Sequence, residues 1–196
     1  TIVSGTYADG NIQNFTHGMF QSVYDYPYLS SSANHIFDIT FGTSATSGLA
    51  VTNQIAKKDN VYNQMAQVLM GYDQNGSIQK FDEDGDLTTT GDKLNDVSFL
   101  SFSRLLSKDE IKKGSFSLTL GVGTPGVAGY STNVFGGDLT ITDKSGSNGY
   151  KVNSPAGEYG ILYATGSGNT WDQSAGGYNA RWDRGYAKVG LLYYQA

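Results

Sequence analysis

The chain has 196 residues and no cysteine, so it is long enough to bury a core without disulfides and cannot hold a thiolate metal site or a thiol nucleophile. Its net charge is −5, and its 13 lysines and arginines are scattered, which argues against nucleic acid as a partner. No apolar run approaches about 18 residues, so we predict no membrane insertion.

Glycine is unusually frequent, with 26 residues, and it is accompanied by 14 tyrosines, while only 16% of residues are charged. This composition is typical of a turn-rich β protein with a largely neutral surface. We predict a mainly β (α+β) fold, with an antiparallel sheet or sandwich, one medium helix and one short helix. We expect a single β-rich domain over residues 1–196. Because the chain opens on Thr1 and ends on the apolar LLYYQA, we also expect it to be a piece of a longer chain.

Period-two alternation predicts the strands. In SFSLTLGV (Ser115–Val122), apolar residues alternate with serine and threonine. Similar runs are His35–Phe41, Val97–Ser103, Asp138–Thr142, Tyr159–Ala164 and Ala187–Tyr194. Asn75-Gly76 and Asn148-Gly149 are hairpin-type turn signals, because type I′ turns need two residues that tolerate positive φ.

Two helices are predicted between these strands. The first, near 59–70, has Asp59 as its N-terminal cap and Gly71 as its end. Its apolar face is predicted at i, i+4, i+7, i+8 and i+11: Val61, Met65, Val68, Leu69 and Tyr72. The second, near 108–113, begins with the capping box Ser107 to Glu110 and ends at Gly114.

The stretch FDEDGD (Phe81–Asp86) places four carboxylates around a glycine. It fails as an EF-hand in either register, because the turn glycine and the bidentate glutamate do not fall at their positions. A looser cation site remains open, and its weak candidates are Asp82, Asp84 and Asp86. The alternative is a turn at Asp84-Gly85 whose carboxylates stand in solvent and which touches a neighbouring subunit.

Signals for enzyme chemistry are few. GVGTPG (Gly121–Gly126) matches a dinucleotide fingerprint, but no helical pattern follows it, so no pyrophosphate site is expected. The chain has only two histidines, His17 and His35, and no G-x-S-x-G elbow. We therefore expect no enzyme activity, no catalytic residues and no cofactor.

A polar, aromatic segment, WDQSAGGYNARWDRGY (Trp171–Tyr186), contains two tryptophans, two tyrosines and two arginines. Such side chains stack on sugars or anchor protein interfaces. The alternatives are a loop that folds back onto the sheet, a protein contact, or a glycan site. The interaction candidates are Trp171, Tyr178, Arg181, Trp182 and Tyr186.

Three stretches resemble segments of large virion structural proteins from T4-like contractile-tailed marine phages such as cyanophages. They are NVYNQMAQVLMGYDQNGSIQKFDEDGD (Asn60–Asp86), FLSFSRLLSKDEIKKGSFSLTLGV (Phe99–Val122), and YKVNSPAGEYGILYATGS with VGLLYYQA (Tyr150–Ser167 and Val189–Ala196). They occur in the same order. Residues 1–41 and the polar, aromatic segment Trp171–Tyr186 carry no such resemblance.

The resemblance implies a non-enzymatic structural component of the tail or baseplate. Such a chain is made in the host cytoplasm, resides in the virion, and assembles with copies of itself or with other virion proteins. The alternative is a β-domain of a fibre or adhesin that binds a glycan or receptor on the host surface.

Overall fold

A computed structural model describes residues 12–14, 20–25, 34–47, 55–88, 93–102, 110–122, 137–166, 182–183 and 186–195. The chain divides into two compact units. The first is drawn from Thr1–Phe81 and Leu94–Asp109, and the second from Asp82–Lys93 and Glu110–Gln195. Each unit is mostly β, and its described residues form one antiparallel sheet and one helix. This architecture confirms the predicted fold class.

The first unit contains an antiparallel sheet in the order β1-β2-β3-β4 and a helix, α1. Its elements are β1 (Ile12–Asn14), β2 (Phe20–Asp25), β3 (Asn34–Thr43), α1 (Ile55–Leu69) and β4 (Asp96–Ser101). The predicted runs at His35 and Val97 are confirmed as β3 and β4, and exposed and partly buried residues alternate at the start of β4. Helix α1 packs on β3, where Gly42 lies so close to Tyr62 that a Cβ would stand 2.8 Å from the Tyr62 amide nitrogen.

Helix α1 is longer than predicted and buries a different face. It begins at Ile55 rather than at Asp59, whose carboxylate instead accepts a 3.4 Å hydrogen bond from the Thr43 hydroxyl. The buried residues are Tyr62 and Ala66 in the helix and Met70 just after it, at i, i+4 and i+8. The apolar face predicted from the sequence is not the one that is buried, because the close approach of β3 selects the stripe that begins at Tyr62. The predicted end is confirmed: Gly71 has φ +78 and its amide donates to the Ala66 carbonyl at 3.0 Å.

The core of the first unit is aromatic. Tyr62 and Phe81 meet edge to face, with ring centroids 5.4 Å apart, and Phe81 contacts Phe99 at 5.5 Å. The buried Tyr62 hydroxyl donates to the Leu94 carbonyl at 2.7 Å and accepts from the Phe81 amide at 3.3 Å. Burial raises the pKa of Tyr62 to about 12. The helix is thereby tied to the segments on either side of the acidic stretch.

The second unit contains an antiparallel sheet in the order β5-β6-β7-β9-β8. Its elements are β5 (Ser117–Val122), β6 (Gly137–Thr142), α2 (Gly146–Gly149), β7 (Tyr159–Gly166), β8 (Trp182–Asp183) and β9 (Tyr186–Tyr193). All four strands predicted in this unit are confirmed. Its core is centred on β7 and β9 and on the residue that follows β9: Tyr159, Ile161, Ala164, Ala187, Leu192 and Tyr194.

The short helix lies elsewhere than predicted. Ser107 falls outside the described residues, but Glu110 forms an isolated antiparallel bridge with Gln195, and the Ile111 amide donates to the Tyr194 carbonyl at 2.8 Å. Pairing with the end of the chain thus replaces the expected helix over 110–113. The short helix is α2, which includes Asn148-Gly149, so that pair is not a hairpin turn. Asn75-Gly76, by contrast, lies in a turn closed by the Tyr72–Ile78 bridge.

Candidate functional site

The acidic stretch forms a turn held by its own carboxylates. The Asp82 Oδ1 atom accepts the amides of Asp84 at 3.1 Å and Gly85 at 3.0 Å. The Asp84 Oδ1 atom accepts the Asp86 amide at 3.1 Å, and the Asp86 Oδ1 atom accepts the Thr88 amide at 2.9 Å. Aspartate favours turns because its side chain bonds amides two residues ahead. The repeated spacing of acids therefore has a structural use, and Gly85, with φ +69, takes the left-handed position.

Asp82 and Glu83 are buried, so the prediction that all these carboxylates stand in solvent was wrong. Asp82 pairs with Lys93 in an isolated antiparallel bridge, and the Lys93 ammonium donates to Asp82 Oδ2 and, at 2.6 Å, to the Thr88 carbonyl. Burial alone would raise the pKa of Asp82, but the hydrogen bonds from Lys93 and from within the turn outweigh it, and the pKa lies below its usual value.

The turn packs on the sheet of the second unit. Asn153 donates from Nδ2 to the Gly85 carbonyl at 3.0 Å, and the Tyr159 hydroxyl donates to Asn153 Oδ1 at 2.8 Å. Burial, with Asp82 nearby, raises the pKa of Tyr159 to about 12. Lys188 of β9 lies 3.6 Å from Asp84 Oδ2. Two lysines therefore face the acidic turn from its own unit.

Asp82, Asp84 and Asp86 each offer an oxygen within 4.8 Å of the others, a grouping that a divalent cation would accept. Every one of these side chains, however, already uses Oδ1 to bind backbone amides. Asp82 is fully buried, and its Oδ2 binds the Lys93 ammonium. The lysine thus supplies the positive charge that buried carboxylates require, and the geometry is that of a charged turn.

The aromatic candidates lie mostly outside the described residues, as Trp171, Tyr178 and Arg181 do. Trp182 belongs to β8 and Tyr186 to β9, and the two strands pair in antiparallel register, Trp182 opposite Ala187 and Asp183 opposite Tyr186. The backbone thus brings these two candidates onto adjacent strands. The glycan and protein-contact predictions for this segment stay predictions.

A third buried carboxylate, Asp143, was not anticipated from the sequence. Its Oδ2 accepts the Gly114 amide at 2.7 Å and the Tyr194 hydroxyl at 3.0 Å, and its Oδ1 accepts the Phe116 amide at 2.9 Å. Burial and this carboxylate raise the pKa of Tyr194. The signal lay in DKSG directly after a strand, a turn-forming sequence. Asp143 ties the start of β5 and the end of β9 to the end of β6.

A serine, a histidine and an aspartate meet on β2 and β3, but not in a catalytic order. The Ser22 hydroxyl donates to Asp38 Oδ1 at 2.5 Å, and His35 Nε2 lies 2.6 Å from the same oxygen. A nucleophilic serine must instead be hydrogen-bonded to the histidine that takes its proton. Ser22 is also buried. This cluster therefore serves strand pairing, since Ser22 and Asp38 are register partners.

Comparison with known proteins finds no matching family, no similar curated protein and no similar solved structure. Among the helices of the described part of the chain, none combines the length and the apolar character needed to cross a membrane.

Proposed function

We propose that this chain is a non-enzymatic structural component of a contractile-tailed phage particle, in its tail or baseplate, and that it assembles with copies of itself or with other virion proteins. The resemblance of three ordered segments to virion structural proteins of T4-like marine phages carries the proposal.

Support comes from where two of those segments lie. The segment 60–86 supplies the acidic turn, and the segment 150–167 supplies the residues that receive it, Asn153 and Tyr159. Gly85 and Asn153 are 68 positions apart in the chain but hydrogen-bonded. The acidic turn and the segment 150–167 therefore belong to one folded unit of this chain.

The hydrogen bonds that three carboxylates make within the protein support a non-enzymatic role. Asp82 and Asp143 are buried acceptors of backbone amides, and Asp38 binds Ser22 of the neighbouring strand and His35 of its own. A catalytic acid or base must reach a substrate proton at hydrogen-bonding distance. These three carboxylates instead bind the protein itself.

Purified particles test the proposal. Particles from cultures that carry the gene in its native genome would be sedimented through a density gradient and their proteins quantified by mass spectrometry. We expect this chain in the particle fraction at a fixed ratio to the other tail proteins, resistant to a high-salt wash. Its presence in the lysate but not in the particles would overturn the proposal.

A further inference from the structure

We propose that α1 is a self-association surface: its outer face pairs antiparallel with α1 of a second copy of this chain. The inference deepens the proposed assembly with copies of itself, and it names the surface. It is tested in solution with the isolated chain, so its failure is distinct from absence of the chain from particles.

From Asn60 onward, the outer face of α1 carries no charge: its exposed side chains are amides, among them Gln64 and Gln67, and the valine Val68. Val68 is 65% exposed, and Tyr72, just beyond the helix end, is 53% exposed. Val68 follows the buried Ala66 by two positions, which at about 100° per residue places it on the opposite side of the helix. Val61 lies two turns before Val68 on the same side, and the partly exposed Met65 lies between them.

The spacing of these residues suits a helix partner. Val61, Met65 and Val68 follow one another by four and then three positions, the spacing of the apolar seam in paired helices. Apolar surface at this spacing is buried most completely by the ridges of another helix. Within the first unit, the helix buries its other side, through Tyr62 and Ala66.

The charges favour a second copy in antiparallel orientation. No charged residue occurs between Asn60 and Tyr72, so two copies of this face meet without repulsion. The exposed amides beside the seam, Gln64 and Gln67, both donate and accept hydrogen bonds and therefore suit an identical surface.

The charges at the ends of α1 also favour the antiparallel orientation. Its first turn contains no acid and its last turn no base, although the helix dipole favours both. Lys57 instead stands near the positive end. When Val61 of one copy lies opposite Val68 of the other, Lys57 comes to the negative end of the partner helix, near Asp73. A parallel pair would place the two Lys57 ammonium groups together.

The length of the helix sets the expected strength. Its 15 residues span about 22 Å, and such a contact buries well below the roughly 1,600 Å² of a standard stable interface. We therefore expect a dissociation constant of roughly 10 µM to 1 mM for the isolated chain. Copies held side by side in an assembly would pair more completely, because their effective concentration is higher.

Sedimentation velocity over a concentration series is the first test. The wild-type chain should shift from monomer to dimer as its concentration rises to about 1 mM, and Val68→Lys should remove the shift. Val152→Lys is the matched control, because Val152 is a valine with a similar exposed fraction of 70% in the second unit. A wild-type chain that stays monomeric throughout, or a V68K variant that dimerises like V152K, overturns the proposal.

Cysteine cross-linking tests the orientation, since the chain has no cysteine of its own. Under mild oxidation, Gln64→Cys should give a disulfide-linked dimer, because Gln64 lies near the two-fold axis of an antiparallel pair. Val68→Cys should cross-link efficiently only when mixed with Val61→Cys. Efficient cross-linking of V68C to itself would contradict the antiparallel arrangement. A Val152→Cys variant should remain monomeric.

Discussion

Asp82→Asn should destabilise the second unit far more than any exposed carboxylate in the same turn would. The substitution keeps an oxygen for the amides of Asp84 and Gly85 but removes its charge. Hydrogen bonds to a charged group contribute about 1.5–3 kcal/mol, against about 0.5–1.5 for neutral ones, so the two bonds lose about 2 kcal/mol together. The new amide group also turns a donor toward the Lys93 ammonium.

The loss of the ion pair adds to this. Removing one partner of a buried pair costs about 3–5 kcal/mol, and the lower end applies here because Lys93 is 21% exposed and keeps the Thr88 carbonyl. The two effects overlap, so we expect a total loss of about 3–5 kcal/mol in the free energy of unfolding. For a chain of this size, that lowers the melting temperature by at least about 6 °C.

Urea unfolding followed by tryptophan fluorescence suits this measurement, because Trp182 lies in β8 of the second unit. The control is Asp86→Asn. Asp86 is exposed and its oxygen binds the Thr88 amide, so its loss should stay within about 0.5 kcal/mol. Equal stability of D82N and D86N would refute the structural role assigned to Asp82.

The same variant gives a pH dependence of known sign. The pKa of Asp82 is lower in the folded state than in the unfolded state, so its stabilisation is present above the unfolded pKa of about 4 and is lost as the pH falls through the folded pKa. The stability difference between wild type and D82N should thus be constant from pH 6 to 8 and shrink below about pH 4. A difference that grows on acidification would contradict the lowered pKa.

Three further outcomes test the second unit and its turn. Gly85→Ala should lower the free energy of unfolding, measured in urea, by more than Gly76→Ala does. Both glycines have positive φ, but a Cβ at Gly85 would stand 2.9 Å from the Tyr159 hydroxyl, whereas a Cβ at Gly76 would have nothing within 4 Å. Equal losses for the two variants would contradict the packing of the turn. Asp143→Ala should cost about 3 kcal/mol or more, since it removes a buried carboxylate that accepts three hydrogen bonds, from the Gly114 and Phe116 amides and the Tyr194 hydroxyl, and a melting temperature within about 2 °C of wild type would contradict this. Adding EDTA should leave the melting temperature unchanged, because Lys93 supplies the charge that a cation would, and a drop of several degrees would show a bound metal.

The strands were predictable where one face is apolar and the other polar, as in β4 and β5. Strand β2 was not, because its buried residue, Ser22, is polar and bonds to Asp38 of the neighbouring strand. Period-two alternation of apolar residues is absent from such a strand. Strand β8, with two residues, is too short to produce any pattern.

For helix α1, the spacing of apolar residues predicts the helix but not which of its faces is buried. Two stripes run along it, one through Val61 and Val68 and another through Tyr62 and Ala66, and both have helical spacing. The sequence alone cannot choose between them, because the choice depends on the contact between Tyr62 and Gly42 of β3. The apolar face predicted from the sequence contains the residues that the proposed dimer covers.

The acidic turn was predictable as a turn from Asp84-Gly85, but not as a buried one. Its burial depends on Lys93, which is 11 positions from Asp82, and on Asn153, which arrives from the approach to β7. Neither of these two contacts can be recognised from the residues next to the turn in the sequence. Tertiary contacts thus decide which of several similar aspartates is structural and which are exposed.

Electron cryomicroscopy of intact particles tests the proposed function most directly. We predict density in the tail or baseplate, repeated by the symmetry of that ring, into which both sheets fit with α1 on β3. Where copies adjoin, the outer face of α1 should meet its counterpart in the antiparallel orientation. A tail and baseplate fully accounted for by other chains would contradict the assignment of this protein to the particle.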